Sequence, residues 1–399
     1  MSYSSCMLTE LILFMLSACS VVIFLIHLGL ACGMLLNKLR DLRRAAAAPA
    51  DTPTRVSVIV AAKDEEWLLP RLLSSLEMQT LAGFEVVLID DRSGDRTGEI
   101  MEEYRRKHGE RIKVVHNSLD PVGVNPKQAA LDYGLQEASG DVLLFSDSDC
   151  ELPATWVENL LRYFDNPRVG TVFGQIAVKG ASSFLERYQW FDQALINQYS
   201  CGSAGLGLPT SCFGNNLGAR RSVIEEIGGF KALGYTLTED AALISEAGKR
   251  GWKVRVSTRN DTTIFTAPQA SWRRFINQHV RWNSGGFFSK DLMTRLGYRT
   301  IVLFLLFSTL ALPFAVLMPF LLILPVTSFI SIGLIALLLG LLYRRNKSAY
   351  LLRLVPNTLF FMLFYSYVTL LCLIRVSPEW KGRKLRSKPR GAKARTQEK

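Results

Sequence analysis

The stretch "LLFSDSDC" (residues 143–150) places an apolar run directly before two aspartates that are spaced i, i+2. The run predicts a buried strand, and Asp147 and Asp149 follow at the point where the strand ends. Two interpretations are open at this stage. Aspartate favours turns, so the pair could simply end the strand. Alternatively, two carboxylates can hold a divalent cation at the carboxyl end of a parallel sheet, because such cations prefer hard oxygen ligands.

The residues around this strand alternate between β-rich and helical patterns from residue 55 to residue 290. Strands are predicted at 55–62, 85–91, 112–117 and 141–149, and helical patterns separate them. Runs of Val, Ile and Leu that alternate with helices are typical of a mainly parallel sheet covered on both faces. The sequence therefore predicts an α/β fold with a mainly parallel sheet flanked by helices.

Acidic residues end three of these predicted strands. Asp64 follows the first, Asp90 and Asp91 end the second, and Asp147 and Asp149 end the fourth. Ligands of parallel sheets bind outside the carboxyl ends of the strands, so this edge is predicted to carry a site. Asp64 and Asp91 each have a plainer interpretation as caps of the helices that follow.

The type of ligand can be narrowed from the residues at this edge. The chain has no GxGxxG and no GxxxxGK sequence, which argues against a dinucleotide site and a P-loop. An acidic site that binds a diphosphate needs a metal in between, and Mg²⁺ or Mn²⁺ accepts carboxylate and phosphate oxygens together. Lys127, in "NPKQAAL", is either a solvated charge at a helix start or a cation that faces the ligand.

Long apolar segments flank the predicted α/β domain. Residues 11–36 contain no charged residue, which is long enough to cross a bilayer, and "NKLRDLRR" follows at once. This asymmetry predicts an N-terminal anchor (residues 8–36) with the domain at 51–267 in the cytoplasm. Apolar blocks at 301–343 and 354–374 predict two or three membrane segments within 299–375. The protein is thus expected to be a multi-pass protein of the inner or cell membrane.

The net charge of +12 lies mainly beside these apolar segments. Residues 38–44 carry a net charge of +3 and the tail from Arg375 carries +8, so anionic lipid is a simpler partner than nucleic acid. The basic tail (376–399) favours a cytoplasmic C-terminus, whereas three crossings after the domain would place it outside. One segment of the proline-broken block would then be re-entrant. The seven cysteines include no CxxC, so neither a disulfide framework nor a zinc site is indicated.

Two further segments join the domain to the membrane blocks. "WRRFINQHVRWNSGG" (272–286) interleaves aromatic residues with Arg at helical spacing. We expect an amphipathic helix on the membrane surface within 268–290, although an ordinary buried helix face has the same pattern. "NQYSCGSAGLGLPTSCFGNN" (197–216) is rich in small residues and is predicted to be a loop, either an acceptor path or a connector.

An ordered set of motifs resembles the membrane-anchored family 2 glycosyltransferases of GT-A fold over residues 55–290. The motifs are "VSVIVAAKDEE", "EVVLIDDRSGDRT", "FSDSD", "FGNNLGARRSVIEEIGGF", "TED" and "QHVRW", in the family's order. The resemblance implies a GT-A domain that transfers a hexosyl group from a UDP- or GDP-sugar with inversion. "AAKDEE" departs from many relatives, which have Tyr-Asn or Arg-Asn before the acids.

The resemblance also implies roles for individual residues. Asp64 and Asp91 would contact the nucleotide, Asp147 and Asp149 match the DxD motif for metal and diphosphate, and Asp240 of "TED" matches the catalytic base. Gln278, Arg281 and Trp282 match the QxxRW motif near the acceptor and the diphosphate. The plainer interpretation of Asp240 is a helix N-cap beside Glu239.

Three functional classes remain open from the sequence. The first is transfer of a single sugar to a lipid or membrane-associated acceptor. The second is a processive polysaccharide synthase, which also carries QxxRW but needs a polymer channel. The third is a scaffold that binds nucleotide sugars without catalysis.

Overall fold

The computed structural model describes residues 3–45, 54–118, 121, 123–180, 182–343 and 347–385. Its strands are β1 (Val56–Ala62), β2 (Glu85–Asp91), β3 (Ile112–Asn117), β4 (Val142–Asp147), β5 (Cys150–Glu151), β6 (Val169–Gly174), β7 (Ile176–Val178), β8 (Leu217–Arg220), β9 (Lys253–Ser257), β10 (Ile264–Thr266), β11 (Glu379–Trp380) and β12 (Arg383–Lys384). Its helices are α1 (Tyr3–Ala45), α2 (Leu69–Glu77), α3 (Thr97–His108), α4 (Pro126–Glu137), α5 (Trp156–Leu161), α6 (Phe184–Gly205), α7 (Arg221–Ile227), α8 (Gly229–Ala232), α9 (Glu239–Lys249), α10 (Trp272–Phe287), α11 (Leu292–Ala311), α12 (Ile323–Tyr343) and α13 (Lys347–Leu373).

A seven-stranded sheet in the order β3-β2-β1-β4-β8-β6-β9 forms the centre of the domain. Every neighbouring pair is parallel except the two that involve β8, which runs antiparallel to β4 and β6. The four strands predicted from the sequence are all present. The mainly parallel α/β fold is therefore confirmed, with one reversed strand inside it.

Helices cover both faces of this sheet. On one face Val58 and Val60 of β1 pack with the buried side chains of α2 and α5, among them Leu72 and Trp156. On the other face Ile59 packs in a second core under α4 and α9. Because neither face meets water, the strands read as continuous apolar runs rather than as alternating ones.

Register places the acidic strand ends side by side. Asp147 pairs with Ala61 at the end of β1, and Asp91 pairs with Asn117 at the end of β3. A smaller sheet, in the order β5-β10-β7, continues directly beyond β4 and brings Thr266 opposite Cys150. The edge of the large sheet and the small sheet together enclose the acidic residues.

Helix α1 is attached to the domain by a buried carboxylate at its C-terminal end. Asp41 Oδ1 accepts a hydrogen bond from Tyr163 Oη at 2.5 Å, and its Oδ2 accepts one from Thr258 Oγ1 at 2.6 Å. All three side chains lie in the interior. Removing a buried partner of this kind leaves the others unsatisfied, so α1 is fixed to the domain and not only tethered to it.

The prediction of a loop at 197–216 is wrong for its first half, because residues 197–205 are the last turns of α6. A Cβ at Gly202 would lie 2.5 Å from Leu30 O, and a Cβ at Gly205 would lie 2.0 Å from Gly33 O. The small residues thus allow the backbones of α6 and α1 to touch, as at close helix crossings in membranes. Packing against α1 compensates for the low helix propensity that made this segment look like a loop.

Among the residues that the structure describes, four helices are long and apolar enough to cross a membrane. They cover Thr9–Arg44, Leu292–Ala311, Pro319–Leu342 and Tyr350–Leu373, and a crossing needs about 20 residues. The amphipathic segment is confirmed as a helix, α10, which begins at an N-cap bond from Arg274 N to Ser271 Oγ at 3.4 Å. Aromatic side chains, such as Phe275 and Phe364 with ring centroids 5.1 Å apart, join α10 to α13.

The tail begins with a β-hairpin that the sequence analysis did not identify. Strands β11 and β12 pair after α13, and residues 386–399 of the basic tail lie outside the described residues. Residues 51–53 of the predicted domain also lie outside them.

Candidate active site

Asp147 and Asp149 lie where the two sheets meet. Asp147 Oδ1 accepts a hydrogen bond from Lys127 Nζ at 2.7 Å, and Asp149 Oδ2 accepts one from Thr266 Oγ1 at 3.2 Å. Burial raises the pKa of Asp149, and the charge of Asp147 raises it further. Two carboxylates are therefore held close together, and the Lys127 ammonium group offsets part of their charge.

The donor set at this position fits a divalent cation that shares its coordination with a ligand. Within the described ranges no group of three His, Cys, Asp or Glu side chains is arranged to hold a metal. Two carboxylates are nevertheless the usual protein contribution where phosphate oxygens and water complete the coordination of Mg²⁺. The site thus suits a cation that arrives with a diphosphate better than a permanent protein-only metal centre.

Lys127 faces the site and is not a solvated charge. Besides its bond to Asp147, its Nζ lies 3.4 Å from Glu239 Oε1. Burial lowers the pKa of Lys127, but the charges of Asp147 and Glu239 outweigh this effect and hold the pKa above its ordinary value. A permanently charged ammonium group therefore links the carboxylates at the end of β4 to the start of α9.

Asp240 lies in the first turn of α9 and is not its N-cap, which is Thr238. Its Oδ2 accepts a hydrogen bond from Gly214 N at 2.7 Å, and its Oδ1 accepts one from Ala241 N at 2.8 Å. Burial raises the pKa of Asp240 to about 6, and the charge of Glu239 contributes in the same direction. A half-buried carboxylate with this pKa is suited to accept a proton near neutral pH.

Asp64 lies just after β1 and Asp91 is the last residue of β2, and neither side chain caps the helix that follows. Asp64, in the left-handed region with φ 52°, accepts a hydrogen bond from Gly94 N at 2.8 Å through Oδ1. Asp91 is buried, and its Oδ1 accepts hydrogen bonds from Arg92 Nη2 at 2.7 Å and Asn117 Nδ2 at 2.7 Å. Instead, Asp95 accepts the first backbone N–H of α3, from Thr97 at 3.0 Å.

The three QxxRW residues line the same cavity from α10. Gln278, Arg281 and Trp282 are half-buried there, and Trp282 packs against His279 with ring centroids 5.1 Å apart. Within the described part of the chain Arg281 forms no ion pair. His279 is fixed from behind by Asp192, whose Oδ2 lies 2.9 Å from its Nε2. The guanidinium group of Arg281 is thus available to bind an anion in the cavity.

The structure brings all the predicted site residues to one cavity of about 2230 Å³. Its polar end contains the acidic residues, Lys127 and the three residues of α10, and its other end continues among apolar side chains of α1, α11 and α12, such as Ile26, Leu305 and Ile332. A single cavity thus joins a charged compartment to an apolar passage.

Two charged residues at the site were not identified from the sequence. Glu65 is mostly buried, and burial together with the nearby charges of Asp149 and Asp147 raises its pKa. Its partner is Lys381, which forms an ion pair with Glu65 from the hairpin after α13. "AAKDEE" offered a signal for Glu65, whereas Lys381 was counted as a charge of the tail.

Comparison with known proteins agrees with this architecture. The family model described as glycosyl transferase family 21 matches residues 20–392, which is nearly the whole chain. The chain belongs to this family. The resemblance to the GT-A glycosyltransferases is therefore confirmed.

Two curated relatives differ in the product for which they are named. The chain is 27% identical over 241 residues to a β-monoglucosyldiacylglycerol synthase from Synechocystis sp., covering 58% of this chain and 48% of the relative. It is 25% identical over 244 residues to a poly-β-1,6-N-acetyl-D-glucosamine synthase from Staphylococcus epidermidis, covering 58% and 54%. The chain thus spans about half the length of the curated relatives it matches.

One solved structure shares the fold over almost the full length. It is the mannosyltransferase PcManGT from Pyrobaculum calidifontis, in complex with GDP-Man and Mn²⁺. The TM-score is 0.56 at 17% identity, covering 90% of this chain and 98% of that one. At this identity the likeness establishes the fold alone, which confirms the GT-A architecture.

Proposed function

We propose that this protein is a membrane-bound inverting glycosyltransferase that moves one sugar from a nucleotide-diphosphate donor to a hydroxyl of a lipid acceptor. The observation that carries the proposal is the shared cavity, whose lining includes the charged residues at the strand ends, Asp240, and apolar side chains of the candidate membrane helices. A hydrophilic donor and an acceptor with an apolar tail need these two environments on either side of the reacting atoms.

The donor is a UDP- or GDP-sugar at the acidic edge. Asp64 follows β1 and Asp91 ends β2, and in this proposal both contact the nucleoside. The guanidinium group of Arg281, which forms no ion pair among the described residues, meets the diphosphate. The diphosphate also requires a cation on the carboxylate side, and Asp147 with Asp149 would hold Mg²⁺ or Mn²⁺ there. When bound, such a cation neutralises charge that develops on the leaving diphosphate.

Asp240 is the general base in this proposal. Because its pKa is raised to about 6, the carboxylate is deprotonated at neutral pH and is still basic enough to accept the proton of an acceptor hydroxyl. The hydroxyl oxygen then forms a bond to the anomeric carbon opposite the diphosphate, and the bond from that carbon to the diphosphate oxygen breaks. Attack from the opposite face inverts the configuration. Gly214 N and Ala241 N hold the carboxylate in place.

The acceptor is a lipid that enters between the helices. The passage is lined by apolar side chains of α1, α11 and α12. All three of these helices are among the four candidate membrane spans of the described residues. The relative named as a β-monoglucosyldiacylglycerol synthase supports a lipid acceptor. The relative named as a polysaccharide synthase supports the alternative of a polymer product, which the activity test distinguishes. Membership in a glycosyltransferase family argues against a non-catalytic scaffold.

Two chain segments that return to the domain support a proposed arrangement in the membrane. Asp41 at the end of α1 bonds to Thr258, and Lys381 after α13 bonds to Glu65. We infer from these contacts that the chain leaves the domain after α10 and comes back to the same side of the membrane, with an even number of full crossings among α11, α12 and α13. In this proposal one of the three does not cross, the catalytic domain (51–267) and the tail (376–399) are cytoplasmic, and 8–36, 268–290 and 299–375 are the anchor, the interface helix and the membrane segments.

A reporter fused after Lys399 tests this arrangement. A cytoplasmic signal is expected, both from parity and because many basic residues are costly to translocate. A fusion before Met1 serves as the control and should give the external signal. An external signal after Lys399 would contradict the proposed topology.

The activity is tested with the full chain in detergent or nanodiscs. UDP- and GDP-hexoses are supplied with Mn²⁺ and a membrane lipid extract, and released nucleotide and new glycolipids are measured by mass spectrometry. One donor should give nucleotide release coupled to one new lipid carrying a single sugar. A long polymer would favour the synthase alternative, and no release from any donor would overturn the proposal.

A further inference from the structure

The chain after α13 returns to the catalytic domain as a short hairpin. Strands β11 and β12 are joined by Lys381 and Gly382, with φ 47° and φ 75°. Two left-handed residues form a type I′ turn, whose twist matches that of the paired strands. The hairpin therefore presents the side chain of Lys381 at a defined tip.

One side chain of α10 fixes the position of this hairpin. Asn277 Nδ2 donates a hydrogen bond to Glu379 O at 2.6 Å, and Glu379 N donates one to Asn277 Oδ1 at 2.7 Å. The amide group thus pairs with the backbone as a neighbouring strand would. Because α10 also carries Arg281, the hairpin and the proposed diphosphate contact are held by the same helix.

The tip of the hairpin reaches the acidic edge of the sheet. Lys381 Nζ forms an ion pair with Glu65 Oε1 and lies 3.4 Å from the backbone oxygen of Asp64, across 317 positions of sequence. The side chains of both ion-pair partners are largely shielded from solvent, with 28% and 14% exposed. Lys381 also lines the cavity that contains Asp147 and Asp149. An ammonium group from the far end of the chain therefore lies beside the acidic edge of the cavity.

Lys381 can bind either the carboxylate of Glu65 or a phosphate oxygen of a ligand. Without a ligand, Glu65 is the anion within reach. A diphosphate offers several charged oxygens at the same place, and a lysine is a common phosphate-binding residue because its flexible stem carries three donors.

We propose that the hairpin Glu379–Lys384 closes the donor end of the cavity and that Lys381 binds the diphosphate of the nucleotide sugar, exchanging Glu65 for a phosphate oxygen. This inference rests on the proposed function, and it adds a donor-binding residue from the far end of the chain. The proposal also explains why the hairpin is attached to α10. This helix carries both Asn277, which binds the hairpin, and Arg281, which would bind the same diphosphate.

The test uses the full chain with the donor that the wild type accepts, and it measures KM for the donor, kcat and the affinity for the matching nucleoside diphosphate with Mn²⁺. Lys381→Ala should raise the donor KM about tenfold or more, because one charge-assisted hydrogen bond to the ligand is lost. Lys381→Arg should restore most of the affinity. Lys384→Ala, two residues beyond the turn in the same hairpin, is the matched control and should keep the wild-type values.

Glu65→Gln separates donor binding from a purely structural ion pair. If Lys381 binds the diphosphate, removing its competing partner leaves the donor KM unchanged or lowers it. If the ion pair with Glu65 is all that matters, Glu65→Gln and Lys381→Ala should lower the melting temperature alike and leave donor affinity at the wild-type value, which would overturn the inference. An inactive wild type would count against the proposed function, whereas an active wild type with normal donor affinity in Lys381→Ala counts against the hairpin alone.

Discussion

The two ends of the central cavity differ in what holds their walls together. At the donor end, charged side chains from distant parts of the chain neutralise one another, as in the pairs Lys127–Asp147 and Lys381–Glu65. At the acceptor end, α1 lines the passage and is held by its contact with α6, where backbones touch through Gly33, Gly202 and Gly205. A ligand can take the place of one partner in an ion pair at the donor end. No ligand can take the place of the close backbone contact between α1 and α6. We therefore expect changes at the donor end to alter rate and affinity, and changes at the acceptor end to alter stability.

Removal of divalent cations should cause the largest loss of transfer activity among these tests of the donor end. A chelator should abolish transfer, because Asp147 and Asp149 would then repel the diphosphate of the donor. Added Mn²⁺ or Mg²⁺ should restore activity, and the melting temperature without donor should change little. Full activity in the chelator would return the two aspartates to a structural role.

Asp240→Asn should follow with a loss of transfer rate. The side chain keeps its shape and its bonds to Gly214 and Ala241 in part, but it cannot accept a proton. Turnover should fall by roughly 10²–10⁴-fold with donor affinity nearly unchanged, the usual contribution of a general base. Asp165→Asn, at an exposed position away from the cavity, is the control. Near-normal turnover at normal stability would remove Asp240 from the mechanism.

The pH dependence should be smaller and should have a defined sign. The pKa of Asp240 is raised to about 6, so the base is lost as the pH falls through that value. Below it, kcat should drop about tenfold per pH unit, since only the deprotonated carboxylate accepts the proton. The residual activity of Asp240→Asn should lack this limb. A wild-type kcat that is flat between pH 5 and 7 would contradict the assignment.

Gly205→Ala tests the acceptor end and should affect stability rather than chemistry. A Cβ there would lie 2.0 Å from Gly33 O, so α1 and α6 have to separate. Overpacking of this kind costs about 1–3 kcal/mol, measurable as a lower melting temperature. Gly248→Ala in α9 has nothing within 4 Å of the added Cβ and is the matched control, with equal or slightly higher stability. If both variants behave alike, the close contact of the two helices is not a determinant of stability.

Part of this architecture is written in local sequence patterns. The strands β1 to β4 could be predicted because burial on both faces demands continuous apolar runs, and the acidic residues that follow them were recognisable because parallel strands end at one edge. The apolar spans and the amphipathic α10 were predicted for the same reason, since length and periodicity are properties of neighbouring residues.

Only the tertiary structure decided which distant groups meet. The sequence allows Lys127 to be a solvated charge, but in the structure its ammonium group binds Asp147. Lys381 is one of many basic residues of the tail in the sequence, and the hairpin brings it to Glu65. Residues 197–205 have the composition of a loop, and they are helical because small side chains let α6 touch α1. Local patterns record which surface a segment buries, whereas the identity of the partner depends on the packing of the whole chain.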